Sequence, residues 1–301
     1  MKKNILITGG TGFVGQNLAR LLIEKGFSVS ILSRTKKSNQ ESLFYYCWDI
    51  EKGTMDEEAV LYADCIIHLA GENIAGKRWT KARKKAILDS RVVPVKLIKA
   101  VLKKYNKKLD AFITASGIGI YGAYNSSQVN IEDSPLANDF LGTVCQQWEA
   151  VADEVLPFAT RIVKVRTGLV LGNGGFLNKL LPLFQWKLGS VIGSGNQYMP
   201  WIHIDDLCAI YLEAVTNEQM NGAYNAAIQD NTTNRVFSKT LAKVVGYKIW
   251  LPPVPAFLIR MFLGELAVII LAGQKVSSAK IEQLGFQFQY TDLEATLKDS
   301  V

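Results

Sequence analysis

Near the start of the chain, Ile5-Leu6-Ile7 leads into Gly9-Gly10-Thr11-Gly12-Phe13-Val14-Gly15, and this stretch decides the fold. The apolar run predicts a short strand. Beyond the glycines, Phe13, Leu18, Leu21 and Leu22 recur at helical spacing up to residue 24, and Gly26 stops the helix. Glycines 9, 12 and 15 therefore lie between a strand and a helix. Gly9 permits the tight turn, Gly12 lets backbone approach a diphosphate, and Gly15 lets helix and strand pack closely. The helix N-terminus adds free amides and a partial positive charge. This is the setting in which a glycine motif reads as a dinucleotide cradle, with Thr11, Phe13 and Val14 contributing backbone to it.

Working outward, residues 27–32, 44–48 and 65–69 read as strands. Residues 80–104 read as a long helix interrupted at Pro94, 111–115 as a strand, 144–155 as a helix and 161–171 as a β run. Alternating β and α segments predict an α/β fold, a Rossmann-type doubly wound parallel sheet. After residue 172 the rhythm changes: Gly189, Gly193, Gly195, Pro200 and Trp201 come close together, and helical segments then dominate. The expected division is a dinucleotide-binding domain over 1–172 with strand and helix returns from the later chain, and a smaller C-terminal lobe over 173–301. Ligands are expected in the cleft between them.

The end of the second strand selects the nucleotide. Dinucleotide sites for NAD usually place an acid there to hold the ribose 2′-hydroxyl. Here the strand ends Ile31-Leu32-Ser33-Arg34. Ser33 and Arg34 suit a 2′-phosphate, so NADP(H) is the expected cofactor. Asp49 after the third strand is placed to meet the adenine. Leu69, Ala70, Gly71 and Glu72 after the fourth are small or turn-forming residues past which cofactor and backbone can lie close. His68 reads as a satisfied strand histidine.

Composition narrows the rest. The 301 residues are 49% apolar and 20% charged, which describes a folded chain. The net charge of +7 is spread along the sequence without a basic stripe interleaved with aromatics, so no nucleic-acid partner is expected, and the positive field suits an anionic small molecule. Cys47, Cys65, Cys145 and Cys208 form no CxxC pair and no metal spacing with His68 and His203, so reduced thiols and no metal are expected. Met1-Lys2-Lys3 runs straight into a strand, without signal-peptide character. The apolar stretch 254–273 is broken by Arg260 and Glu265; it reads as a buried helix rather than a membrane span, and a cytoplasmic protein with no membrane partner is expected.

Taken together, these motifs resemble the extended short-chain dehydrogenases/reductases, which include nucleotide-sugar epimerases. The resemblance runs on through Thr114-Ala115-Ser116, Ile120-Tyr121-Gly122, 166–172 (Arg-Thr-Gly-Leu-Val-Leu-Gly) and 201–207 (Trp-Ile-His-Ile-Asp-Asp-Leu). More narrowly, it is similar to the atypical group called "epimerase family protein" or cell-division-inhibitor-like, within the NAD-dependent epimerase/dehydratase superfamily. Its marks here are Ala70-Gly71-Glu72-Asn73-Ile74, Lys77-Arg78-Trp79, Ser90-Arg91, Trp148-Glu149 and Gly195-x-Gln197-x-x-Pro200-Trp201. Gly264-Glu265, Gly273-Gln274-Lys275-Val276 and Gly285-Phe286 mark a C-terminal segment of unassigned role.

The chain also departs from that pattern. Members place a serine before a Tyr-x-x-x-Lys helix, where the lysine and the cofactor depress the tyrosine pKa so that it works as acid and base. Ser116 stands at the serine position, but the helix reads Phe140-Leu141-Gly142-Thr143-Val144-Cys145, with leucine and cysteine where tyrosine and lysine belong. Cys145 reads as a packing residue. The resemblance leaves Ser116 and Tyr121 as candidate catalytic residues, Arg91 and Arg166 as contacts to phosphates or an acidic ligand, and Ser116 beside the cofactor. Lys77, Arg78 and Trp79 are candidates for a substrate pocket, while His203 and Asp205 join the lobes. An NADP(H)-dependent oxidoreductase or epimerase-like enzyme on a small, anionic substrate, and a non-catalytic NADP(H)-binding redox sensor, both stay open. The group's name alone suggests a cell-division factor. Relatives pair through two Rossmann-domain helices, so the resemblance admits a homodimer.

Overall fold

A computed structural model describes residues 3–35 and 37–301. The chain opens with β1 (Asn4–Thr8), α1 (Phe13–Glu24), β2 (Ser28–Ser33), β3 (Leu43–Asp49), β4 (Thr54–Met55), α2 (Glu58–Leu61), β5 (Cys65–His68) and α3 (Lys81–Lys104). It continues with β6 (Ala111–Gly117), β7 (Ser126–Asn130), α4 (Phe140–Asp153), β8 (Ile162–Thr167), β9 (Leu169–Leu171) and α5 (Gly175–Gln185). Then come β10 (Trp201–His203), α6 (Ile204–Thr216), β11 (Gly222–Ala226), α7 (Asn234–Val244), α8 (Ala256–Leu263), α9 (Val268–Leu271), β12 (Gln274–Val276), α10 (Ala279–Glu282) and α11 (Leu293–Ser300).

Among the described residues, eight strands form the main sheet in the order β11-β8-β6-β5-β1-β2-β3-β4, parallel except for the short edge strand β4. The order reverses at β1, which lies between β2 and β5, so the crevice at the carboxyl ends of β1 and β5 is the switch point where such sheets take ligands. Alternation along the strands fills two cores. Ile5, Ile7, Val29, Ile31 and Ile67 face α1 and α6, while Leu6, Ile66 and Phe112 face α3 and α4. The later chain returns to this sheet through α6 and β11, and the smaller lobe has its own core of Leu177, Phe184, Trp201, Phe237, Leu241 and Leu297.

Three expectations need correction. Pro94 does not interrupt α3, which runs unbroken from Lys81 to Lys104. Proline removes one hydrogen bond there, but Ile87, Val95, Ile98 and Leu102 are fully buried along the helix and hold it in place. The β run at 161–171 is two strands, with β8 in the main sheet and β9 paired to β10 in the second lobe. Gly168 makes the transfer, because a Cβ there would lie 2.6 Å from the Pro200 carbonyl oxygen. Residues 254–273 are not one buried helix. They fold as α8, a 3-10 turn over Gly264–Ala267, and α9, and α8 contains no buried residue.

Candidate functional site

The glycine loop is built around backbone contacts that side chains would forbid. Gly9 has φ 72°, and a Cβ on it would sit 2.8 Å from the Ala70 nitrogen and 2.8 Å from the Leu69 carbonyl carbon. A Cβ on Gly15 would come within 2.4 Å of the Gly9 oxygen. The turn closes by a bond from the Gly12 N–H to the Gly9 oxygen at 3.0 Å. Gly12 is the N-cap of α1 and makes no side-chain cap bond; the first turn carries no acid. The amides there are left for an anion. Thr11 is exposed, Val14 is half-buried, and Phe13 packs beneath Gly172, Gly174 and Gly175 of the second lobe.

At the end of β2, Ser33 is buried, and its oxygen accepts the Thr35 N–H at 3.2 Å. Arg34 is exposed and has no hydrogen-bond or ion-pair partner among the described residues. Asp49 ends β3, accepts the Lys52 N–H at 3.0 Å and pairs with the Lys52 ammonium. Glu72 is bound by Arg83 at 2.8 Å; the hydrogen bond from Arg83 holds its carboxyl below the usual range, and Arg34 adds to the effect from a distance.

The turn after β5 is fixed by a buried chain of hydrogen bonds. His68 Nε2–H donates to the Arg91 carbonyl at 3.0 Å, which leaves Nδ1 to accept from the Thr8 hydroxyl at 2.7 Å. Thr8 in turn accepts the Ala70 N–H at 3.3 Å. His68 is fully buried, and burial pushes its pKa down to about 4. The unfolded chain takes up this proton near pH 6.5 and the folded chain only near 4, so acidification between those values favours unfolding. Full stability above about pH 6.5 should fall by roughly 3 kcal/mol toward pH 4. Urea midpoints compared at pH 7 and pH 4.5 read this loss. His68→Asn should flatten the pH dependence, and an undiminished slope in that variant would assign the effect elsewhere.

Arg91 is buried beneath the same turn. Its Nη1 donates to the Ile87 carbonyl at 2.8 Å and its Nη2 to the Glu72 carbonyl at 3.1 Å, with the guanidinium 4.8 Å over the Trp148 ring. Its reach is therefore to backbone beside Gly71, whose added Cβ would meet the guanidinium at 3.0 Å.

Ser116, Tyr121 and Arg166 converge in one buried network. Ser116 Oγ donates to Glu149 Oε1 at 2.7 Å, and Arg166 grips both Glu149 oxygens at 2.8 Å. Arg166 Nη1 also reaches the Tyr121 hydroxyl at 3.0 Å and the Glu132 carbonyl at 2.7 Å. Burial is the largest influence and works against the arginine's charge, but the hydrogen bonds and charges of Glu149 and Tyr121 together outweigh it and the pKa rises. Tyr121 donates to Asn225 at 2.7 Å, and burial raises its pKa. Each of these groups is thus engaged internally. Glu149 is the member that sequence reasoning left without a role; the signal was a lone acid on the apolar face of α4.

The positions of the missing acid and base are packed with carbon and sulfur. Leu141 joins Trp79, Phe140, Leu263 and Val268 in one apolar cluster. Cys145 is buried, and burial, reinforced by Glu149, lifts its thiol to about 11, so it stays a neutral packing residue. Trp79 is only 8% exposed, donates to the Ile74 carbonyl at 2.9 Å and stacks edge-on against Phe140. It belongs to the core rather than to a pocket wall, which corrects that expectation. Lys77 and Arg78 are exposed, and Arg78 lies against Gly264. Gly264 in turn lines a cavity of about 510 Å³ together with Tyr124, Asn125, Arg260 and Leu271. His203 stacks on Tyr290 at 3.7 Å and lies 3.2 Å from Asp299. Among the described residues no group of histidine, cysteine and acidic side chains could hold a metal, and no helix is long and apolar enough to cross a membrane.

A parallel sheet with its switch point at β1, a glycine loop and a second lobe folded against it define an extended Rossmann-type protein. The model of the NAD dependent epimerase/dehydratase family matches residues 5–227, and that of a domain of unknown function, DUF1731, matches residues 254–300; the chain belongs to the NAD dependent epimerase/dehydratase family. It is 33% identical over 299 residues to the epimerase family protein YfhF of Bacillus subtilis, covering 99% of this chain and 98% of that one. It is 35% identical over 304 residues to mouse epimerase family protein SDR39U1, covering 99% of each. A crystal structure of human SDR39U1 with NADPH superposes with a TM-score of 0.86 at 31% identity, over 99% of this chain and 98% of that one.

Proposed function

We propose that this chain binds NADP(H) and acts as an oxidoreductase of the extended short-chain type on a small anionic substrate, without a tyrosine–lysine pair. The observation that carries the cofactor choice is the end of β2, where Ser33 and an unpartnered Arg34 stand in place of an acid. The glycine cradle fits the nucleotide, because its backbone contacts leave no room for Cβ atoms and its helix terminus keeps free amides. Human SDR39U1, similar over nearly the whole chain, was crystallised with NADPH.

In this reading the first turn of α1 holds the diphosphate, Ser33 and Arg34 hold the 2′-phosphate, and the backbone of Leu69, Ala70 and Gly71 runs beside the cofactor. The bound cofactor supplies or accepts a hydride. An anionic substrate is supported by Arg260, which lines the 510 Å³ cavity, and by Arg78 against its rim; the one acid in the lining, Glu265, is already paired with Lys84. Ser116 and Tyr121 donate their hydroxyl hydrogen bonds to Glu149 and Asn225, so neither is poised as the acid. The same engagement favours a second reading, a protein that binds NADP(H) and reports its redox state without turnover.

Fluorescence titration with NADPH and NADH tests the cofactor. The wild type should prefer NADPH, and Arg34→Ala should weaken NADPH binding about 10- to 100-fold while leaving NADH unchanged. Equal affinities in the wild type would overturn the assignment. Consumption of NADPH against a panel of carbonyl compounds and sugar nucleotides separates the readings: binding with no consumption on any of them favours the sensor.

A further inference from the structure

The second lobe has an unusual charge and exposure pattern. No Asp or Glu occurs at residues 173–204 or 231–264, while these segments contain Lys179, Lys187, Arg235, Lys239, Lys243, Lys248 and Arg260. Lys243 is paired with Glu294 and Arg235 bonds the Ser194 carbonyl. Lys179, Lys187, Lys239, Lys248 and Arg260 are exposed and have no anionic partner among the described residues.

The two segments lie side by side. Trp250 Nε1 donates to the Lys187 carbonyl at 2.9 Å, Ser190 Oγ to that of Pro252 at 2.7 Å, and Gly193 N–H to that of Val254 at 2.9 Å. One end of the pair exposes Trp186 (72%), Trp250 (69%) and Leu188 (50%), with Lys187 and Lys248 next to them in sequence. The other end leads into α8, which exposes Phe257, Met261 and Phe262. Helix α5 delivers the first group. Its C-terminus is closed by bonds from Lys187 N–H to the Phe184 carbonyl and Leu188 N–H to the Leu183 carbonyl, with Lys187 at φ 60°. This closure fixes Trp186 and Leu188 outside the lobe core.

We infer that this face of the second lobe docks peripherally on an anionic lipid surface. Tryptophan seats its ring at the headgroup level, the aliphatic and phenyl groups enter the acyl boundary, and unpaired lysines meet lipid phosphates. Complementarity of charge selects this occupant. A second copy would bring the same two acid-free, cationic segments against themselves, and a nucleic acid would leave the exposed Leu188 without an apolar partner. The inference departs from the sequence expectation of no membrane contact, because neither segment alone shows that Trp250 is held at the Lys187 carbonyl, beside Trp186.

Co-sedimentation of the full chain with vesicles of phosphatidylglycerol and phosphatidylcholine, against phosphatidylcholine alone, tests it. Binding should require phosphatidylglycerol and weaken as salt rises. Trp186→Ala with Trp250→Ala should lower the partition about tenfold or more, with the thermal melt lowered only slightly, since both rings are exposed and the one hydrogen bond lost is that from Trp250 to the Lys187 carbonyl. Lys187→Glu with Lys248→Glu should do the same through charge. Absence of binding to phosphatidylglycerol vesicles would overturn the inference, as would equal binding by the tryptophan variant. A dimer in light scattering, or binding to an oligonucleotide, that the tryptophan variant abolishes while vesicles go unbound would give the face to that partner instead.

Discussion

Gly15→Ala should abolish measurable NADPH binding at concentrations that saturate the wild type. The added methyl would lie 2.4 Å from the Gly9 oxygen and 2.5 Å from the Gly10 Cα, and both are backbone atoms that cannot rotate away. Relief requires α1 to lift off the loop, which misaligns the amides of the first helical turn. Loss of two charge-assisted hydrogen bonds at about 1.5–3 kcal/mol each weakens affinity by roughly 100-fold or more. The folded state should lose about 1–3 kcal/mol as well, since the overpacked contact persists without nucleotide. Isothermal titration together with a urea melt reads both effects. Wild-type affinity in the variant would mean that the loop does not hold the diphosphate.

Glu149→Ala should cost about 3–5 kcal/mol of folding stability. The change leaves the Arg166 guanidinium buried without its carboxylate and strips Ser116 of its acceptor. Tyr121 and the Glu132 carbonyl still touch Arg166, but they bring no negative charge. A double variant, Glu149→Leu with Arg166→Met, should recover much of the loss, because burying two apolar groups avoids the desolvation of either ion. Urea denaturation of Glu149→Leu, Arg166→Met and the double variant completes the cycle. A single-variant loss under about 1 kcal/mol would show that water reaches the pair.

The cofactor half of the molecule was legible because its signals are local. The apolar run Ile5-Leu6-Ile7 and the glycine spacing after it prescribe strand, turn and helix in direct succession. The absence of Tyr-x-x-x-Lys was equally plain. What replaces it was hidden, because the partners are remote in sequence: Ser116 meets Glu149 33 residues away, and Tyr121 meets Asn225 104 residues away. Trp79 looked like a ligand contact because its neighbours are Lys77 and Arg78, yet Phe140 and Leu266 enclose it. Pro94 and the 254–273 stretch misled for opposite reasons. Burial overrides a helix breaker in α3, whereas in α8 an apolar sequence stays at the surface.

The segment that family comparison sets apart at 254–300 is stitched into the rest of the chain. Strand β12 pairs with β7, Gln274 Nε2 donates to the Gly122 carbonyl at 2.8 Å, and Gly273 sits so close to the Tyr198 carbonyl that a Cβ there would overlap it. A boundary drawn on sequence statistics thus has no counterpart as a mechanical joint. Parts exchanged between relatives at residue 253 would have to carry the loops at 118–130 and 198 with them, so the heritable unit is the whole chain rather than either of its two labelled pieces.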